Sequence, residues 1–134
     1  MSADGDKEQS VILVDTSVWI DHLREGNHEL RRLLTGGEVL CHPFLIGELA
    51  CGMMKNRSEV LELLKALPYA LVAEHDEVVK FVDDKKLYGH GLGWIDVHLL
   101  ASASLSRVAI WTTDRALKGA AVRLQNPKTE TDCR

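Results

Sequence analysis

The sequence lacks any long apolar run. None of its 134 residues falls in a stretch approaching the roughly 20 apolar positions that span a bilayer, so nothing reads as transmembrane and no membrane partner is expected. Cysteine is scarce. Cys41, Cys51 and Cys133 are odd in number and show no C-x-x-C spacing, which argues against a disulfide framework or a zinc site and for reduced thiols in a cytoplasmic protein. Basic residues are also in the minority, 16 Lys and Arg against 20 Asp and Glu. The resulting net charge of −4 excludes a protein that coats duplex DNA through an extended basic face. An RNA enzyme stays open, because divalent cations held by some of the acids would cancel that charge and leave Lys and Arg to meet phosphate. Met1 to Ser10 is polar and acidic where a secretory signal would be apolar.

What is present fits one soluble domain: 46% hydrophobic and 27% charged residues, on a chain long enough to bury a core of its own. The expected layout is a flexible leader over 1–10, the domain over 11–125 and a loose tail over 126–134. Val11-Ile12-Leu13-Val14 is apolar without alternation, the pattern of a strand covered on both faces in a parallel sheet. It ends in Asp15-Thr16-Ser17, which puts a carboxylate at the carboxyl end of a strand, the edge where open α/β sheets bind ligands. Asp15 could equally serve as a helix cap, as could Thr16 or Ser17.

Further along, Asn27 or His28 opens a helix that Gly36-Gly37 stops, and Val39-Leu40-Cys41 forms a brief strand. Pro43 begins a third helix whose single ionisable side chain is Glu48. An acid flanked by apolar residues on both sides invites a partner for its charge. A Leu-rich helix from Asn56 or Ser58 to Pro68 has more apolar positions than one buried stripe requires, either for packing or for a partner peptide. Tyr69-Ala70-Leu71-Val72 is expected as a third strand, followed by a charged amphipathic helix from His75 to Tyr88.

Gly89-His90-Gly91-Leu92-Gly93 ends that helix and introduces an almost wholly apolar one, with Asp96 in its first turn where an acid suits the helix dipole. His98, two residues on, is not expected to share a face with Asp96. Val108 to Asp114 repeats the opening logic, a short strand closing in Thr112-Thr113-Asp114, with a helix over Arg115 to Ala121. Val122 to Gln125 is expected as an edge strand. Successive parallel strands joined by right-handed crossovers deliver Asp15 and Asp114 to one sheet edge, where Glu48 and Asp96 can join them. Clustered carboxylates require a cation to stay ionised, and an all-oxygen set selects Mg²⁺ or Mn²⁺, pointing to in-line phosphodiester hydrolysis.

The segments VDTSVWID, FLIGELACG, GHGLGWIDVHLLASA and IWTTDRAL, in this order, resemble the PIN-domain ribonucleases, and among them the VapC-like toxins of bacterial toxin–antitoxin pairs. The resemblance implies a three-layer α/β/α sandwich with a central parallel sheet of four to five strands. It also implies Mg²⁺- or Mn²⁺-dependent cleavage of RNA, transfer RNA among the candidates, a cognate antitoxin as partner, and a homodimer. By position, Asp15, Glu48, Asp96 and Asp114 correspond to the family's catalytic and metal-binding acids. Ser17 and Thr112 match hydroxyls that would fix the carboxylates from behind. Arg115 and Lys118 could hold the RNA backbone or simply be exposed helix residues. Two rivals are weighed against this: a phosphatase-type hydrolase, disfavoured because Ser17 stands where a second Asp is commonly needed, and a non-catalytic module that captures a partner peptide.

Overall fold

The computed structural model describes residues 11–124; the expected leader over 1–10 and tail over 126–134 lie outside them, as does Gln125. Three strands, β1 (Ile12–Val14), β2 (Val39–Leu40) and β3 (Ala109–Trp111), make one parallel sheet in the order β2-β1-β3. Seven helices surround it among the described residues: α1 (Thr16–Glu25), α2 (His28–Thr35), α3 (Pro43–Ala50), α4 (Arg57–Ala66), α5 (His75–Asp84), α6 (Trp94–Ser106) and α7 (Arg115–Leu124). The fold is thus α/β with a parallel sheet, as expected. No helix is long and apolar enough to cross a membrane among the described residues.

Two expected strands are absent, so the sheet has three strands and not four to five. Tyr69 to Val72 contributes a single parallel bridge, Cys41 to Tyr69, beyond β2. The Cys41 amide donates to the Pro68 carbonyl at 2.8 Å and the Ala70 amide to the Cys41 carbonyl at 2.9 Å. The ladder then stops, because the next donor on the β2 side would be Pro43, which has no amide and opens α3. The Leu71 amide, facing away from β2, bonds the Ser106 hydroxyl at 2.8 Å, and Leu71 itself is 60% exposed. Val122 to Leu124 is not an edge strand but the last turn of α7. Leu117, Ala120, Ala121 and Leu124 follow the i, i+3, i+4, i+7 spacing of a helical stripe, and packing on that stripe overrides the local apolar–polar alternation.

The core lies in two apolar clusters. One gathers β1, β2 and the inner faces of α1 to α4 around Leu13, Trp19, Leu45 and Leu64; the other joins α5, α6 and α7 around Val78, Leu100 and Leu117. Ile110 of β3 packs against both. α6 is buried almost all round and feeds both clusters, Leu99 and Ala103 to one and Val97, Leu100 and Ala101 to the other. That burial holds its first turn, and with it Asp96, rigidly beside the sheet.

The Leu-rich helix is α4. Leu64 is fully buried, and Val60 and Leu61 pack against the first cluster, so the surplus of apolar positions is largely used within the fold. Leu63, 51% exposed, is the exception. The run Asp83 to Lys86 is solvated, with Lys80 and Asp84 paired across one turn at 3.0 Å.

Candidate active site

Strand register builds the centre of the site. β1 and β3 run parallel with Val14 opposite Trp111, so the next residue on each, Asp15 and Thr112, emerges side by side at the carboxyl edge. The Asp15 amide closes the ladder on the Trp111 carbonyl at 2.9 Å. Asp15 is 5% exposed and its carboxylate is dense with donors. Oδ2 accepts from the Thr112 hydroxyl at 2.7 Å and from the Ser17 hydroxyl at 2.8 Å.

Both hydroxyls are held in that role from behind. Ser17 Oγ accepts the Thr113 amide at 2.9 Å, and Thr112 Oγ1 accepts the Asp114 amide at 3.0 Å. Each hydroxyl accepts a backbone N–H and gives its proton to Asp15, which fixes the carboxylate's orientation. The two readings of Asp15 turn out to be compatible. It is the N-cap of α1, accepting the Ser17 amide at 3.4 Å, while the same carboxylate anchors this network. The cap is therefore Asp15 and neither Thr16 nor Ser17. Asp114 is a cap as well, taking the Leu117 amide at 2.9 Å.

Glu48 and Asp96 arrive from the helices. Glu48 sits on α3, whose start is set by Pro43 and by the His42 side chain accepting the Phe44 amide at 3.0 Å. Its Oε1 accepts from the Thr16 hydroxyl at 3.1 Å, and the same hydroxyl lies 3.5 Å from Asp15 Oδ1. Thr16 therefore stands between two of the acids, a role that no local pattern signals. Asp96 accepts the Gly93 amide at 2.9 Å, closing the first turn of α6.

Glu48 and Asp96 each feel neighbouring acids. Burial raises the Glu48 carboxyl above its ordinary value, the Thr16 bond pulls it back, and the charges of Asp15 and Asp96 raise it again. Burial likewise raises Asp96, opposed by the Gly93 bond and reinforced by Asp114 and Asp15. Among the described residues, no three His, Cys, Asp or Glu side chains close on a common point as a ready-made metal clasp. Unneutralised carboxylates repel one another. The donor set they offer is oxygen throughout, the chemistry that hard divalent cations take, so the residues fit such an ion by kind.

Beside the acids runs an aromatic cluster. Phe44, one turn before Glu48 on α3, packs 4.4 Å from His98, which meets Trp94 at 4.7 Å; His42 lies 5.3 Å from Phe44, and His75 lies 5.0 Å from Trp94. His42 is fully buried and its Nε2 is unpartnered, as is Nδ1 of His98. Burial and then the neighbouring His98 push the His42 imidazole down to about 4. His98 thus faces this cluster and shares no bond with Asp96. Arg115 and Lys118 are exposed at the start of α7, next to Asp114.

On the other side of Glu48, α1, α3 and the segment leading to α4 enclose a groove of about 580 Å³. Ile20, Leu23, Met53, Met54 and Val60 line it, with Arg24 and Lys55 adding positive charge.

Comparison with known proteins identifies the family and the fold. A model of the PIN domain matches residues 12–122. The chain is 49% identical over 111 residues to Ribonuclease VapC32 of Mycobacterium tuberculosis, in the CDC 1551 / Oshkosh and the H37Rv strains alike, covering 82% of this chain and 90% of the relative. Among solved structures, PAE2754 from Pyrobaculum aerophilum shares the fold with a TM-score of 0.57 at 18% identity, over 84% of this chain and 80% of that one.

Proposed function

The chain belongs to the PIN-domain family as a VapC-like member, and on that premise we propose that it is a divalent-metal-dependent endoribonuclease serving as the toxin of a toxin–antitoxin pair. The observation that carries the reading is the hydrogen-bonded centre at the carboxyl edge of the sheet, where Ser17 and Thr112 hold Asp15 and Thr16 bridges Asp15 to Glu48. Asp15, Glu48 and Asp96 would hold a Mg²⁺ or Mn²⁺ ion directly or through water. Asp114 would help to place a second ion or orient the attacking water. When bound, such a cation supplies the positive charge that lets phosphate approach an acidic site and eases the ionisation of water.

The chain's own residues do the rest. Ser17 and Thr112 fix the Asp15 carboxylate, so that it is positioned before substrate arrives. Thr16 steadies Glu48. Glu48 and Asp96, whose charges are opposed by burial and by the neighbouring acids, are the carboxylates that a bound cation would relieve. Arg115 and Lys118 are in position to meet the RNA backbone on the far side of Asp114.

The partner reading rests on the apolar groove. An antitoxin segment with an apolar face would fill it and end near Glu48, keeping RNA from the acids while bound. Ile20 and Leu23 line the groove although both are exposed, which makes it a better receptor than the internally packed Leu face of α4. From the family resemblance we add a structured RNA such as transfer RNA as substrate, a homodimer as the working state and the cytoplasm as its place.

The test is direct. RNA incubated with the chain and Mg²⁺ should be cut, and EDTA should stop the cutting. Asp15→Asn and Asp96→Asn should each lose at least about 100-fold in rate, since a cation's charge stabilisation is worth several kcal/mol, with circular dichroism unchanged. Full activity in either variant, or cleavage indifferent to EDTA, overturns the reading.

A further inference from the structure

Trp94 is a large apolar residue left 42% exposed, and it opens the helix that carries Asp96. The Asp96 carboxylate accepts the Gly93 amide, so the acid folds back against the Leu92–Gly93 peptide, one residue before Trp94. Trp94 is also held in place. His98 packs perpendicular to its ring at 85° and His75 is tilted at 51°, and behind His98 lies Phe44, one turn from Glu48. His98 is buried and anchored in the apolar body of α6, so the indole stands on a fixed support. Among the described residues, no aromatic ring lies parallel to it.

Charge sharpens the point. The chain's net charge of −4, offset by cations only at the site, leaves RNA a modest long-range Coulombic attraction. Grip on a polyanion must then come in part from contacts that carry no charge, and stacking of an unpaired base on an aromatic ring is the strongest of these.

We propose that Trp94 is a stacking platform for one unpaired base of the RNA, next to the phosphodiester presented to Asp15, Glu48, Asp96 and Asp114. The platform would set the substrate's register on the site and confine cleavage to unpaired segments. This rests on the ribonuclease reading, and the experiment keeps the two apart.

Binding of a fluorescein-labelled, single-stranded RNA of about 10 nucleotides is measured with Asp15→Asn as background, in Mn²⁺, at about 50 and 200 mM salt. Cleavage is measured in parallel without that background change. Trp94→Ala should weaken binding by about 10- to 100-fold, by the same factor at both salt concentrations, and cleavage at low RNA concentration should fall alike. Trp94→Phe should keep most of the affinity, while Trp94→Leu, which preserves apolar bulk without a π-face, should not. An abasic nucleotide at the stacking position should weaken wild-type binding and erase the difference from Trp94→Ala. If Trp94→Leu binds RNA as wild type does, or Trp94→Phe is as weak as Trp94→Ala, or the loss shrinks with salt, the platform is wrong while the nuclease reading stands. A Trp whose substitutions alter only self-association or peptide capture likewise overturns it. If wild type cuts no RNA under any metal, the nuclease reading fails, and the binding series then judges Trp94 by itself.

Discussion

Thr112 and Asp15 lie 97 positions apart in the chain and are joined by a hydroxyl–carboxylate bond of 2.7 Å. The bond exists because β1 and β3 are paired in a register that brings the ends of both strands to the same point. Thr112→Val keeps the shape and removes the proton donor. We expect metal affinity and cleavage rate to fall by about 10- to 100-fold, the usual effect of removing a group that orients a ligand. Mn²⁺ titration calorimetry alongside initial rates checks this, and an unchanged Mn²⁺ affinity would refute it.

Glu48 carries a charge that its neighbours oppose. Because its carboxyl binds a proton more tightly in the folded state than in the unfolded one, the folded chain loses stability as pH rises through that elevated value. Glu48→Gln removes the charge while leaving an acceptor for Thr16. In EDTA at neutral pH it should melt about 1 to 3 °C higher than wild type, since a partly exposed charge is worth under about 1 kcal/mol. Adding Mn²⁺ should reverse the order, because only the intact site gains fully from the ion. Melting curves with and without Mn²⁺ decide the matter, and a lower melting point for the variant in EDTA would count against it.

Thr16 should matter through Glu48. Thr16→Val is expected to cost about 10-fold in metal affinity, and Thr16→Ser, which keeps the hydroxyl, should restore it. If serine is no better than valine, the bridge carries no function.

His42 gives the fold an acid limit. Its value of about 4 lies below the ordinary 6.5, so between those two pH values the unfolded chain takes up a proton that the folded chain refuses. Stability should therefore be complete above pH 6.5, fall by on the order of 2 to 3 kcal/mol towards pH 4, and level off below. His98, lowered by burial and by His75, adds to the same slope. His42→Asn retains a cap for α3 and should flatten the dependence, as urea denaturation across this range would reveal.

Much of the site was legible because its signals are local. A strand that ends in an acid, a hydroxyl two residues on and a helix start beyond can be seen within a few positions, which is why Asp15, Ser17, Thr112 and Asp114 were found together. Glu48 stands out as a lone charge in an apolar helix, and Asp96 as an acid in a helix apolar nearly all round, although its first-turn place suits stability by itself. What was hidden depends on distant partners. Thr16 acquires its role from a residue 32 positions away, and the Leu71 amide finds its partner in a serine 35 positions away. Val122 to Leu124 alternates like a strand, yet Leu124 completes a stripe begun at Leu117, so helical packing won.

The truncated rung at Tyr69 also bears on how the protein keeps to itself. The Leu71 amide, which faces away from β2, is already engaged by Ser106, so the outer margin beyond β2 presents no continuous row of donors to a foreign chain. Leu71 and Val72 stay exposed there without becoming a template. A single hydroxyl on α6 thus guards against runaway strand addition, and its loss would make that margin the first place for aggregates to grow.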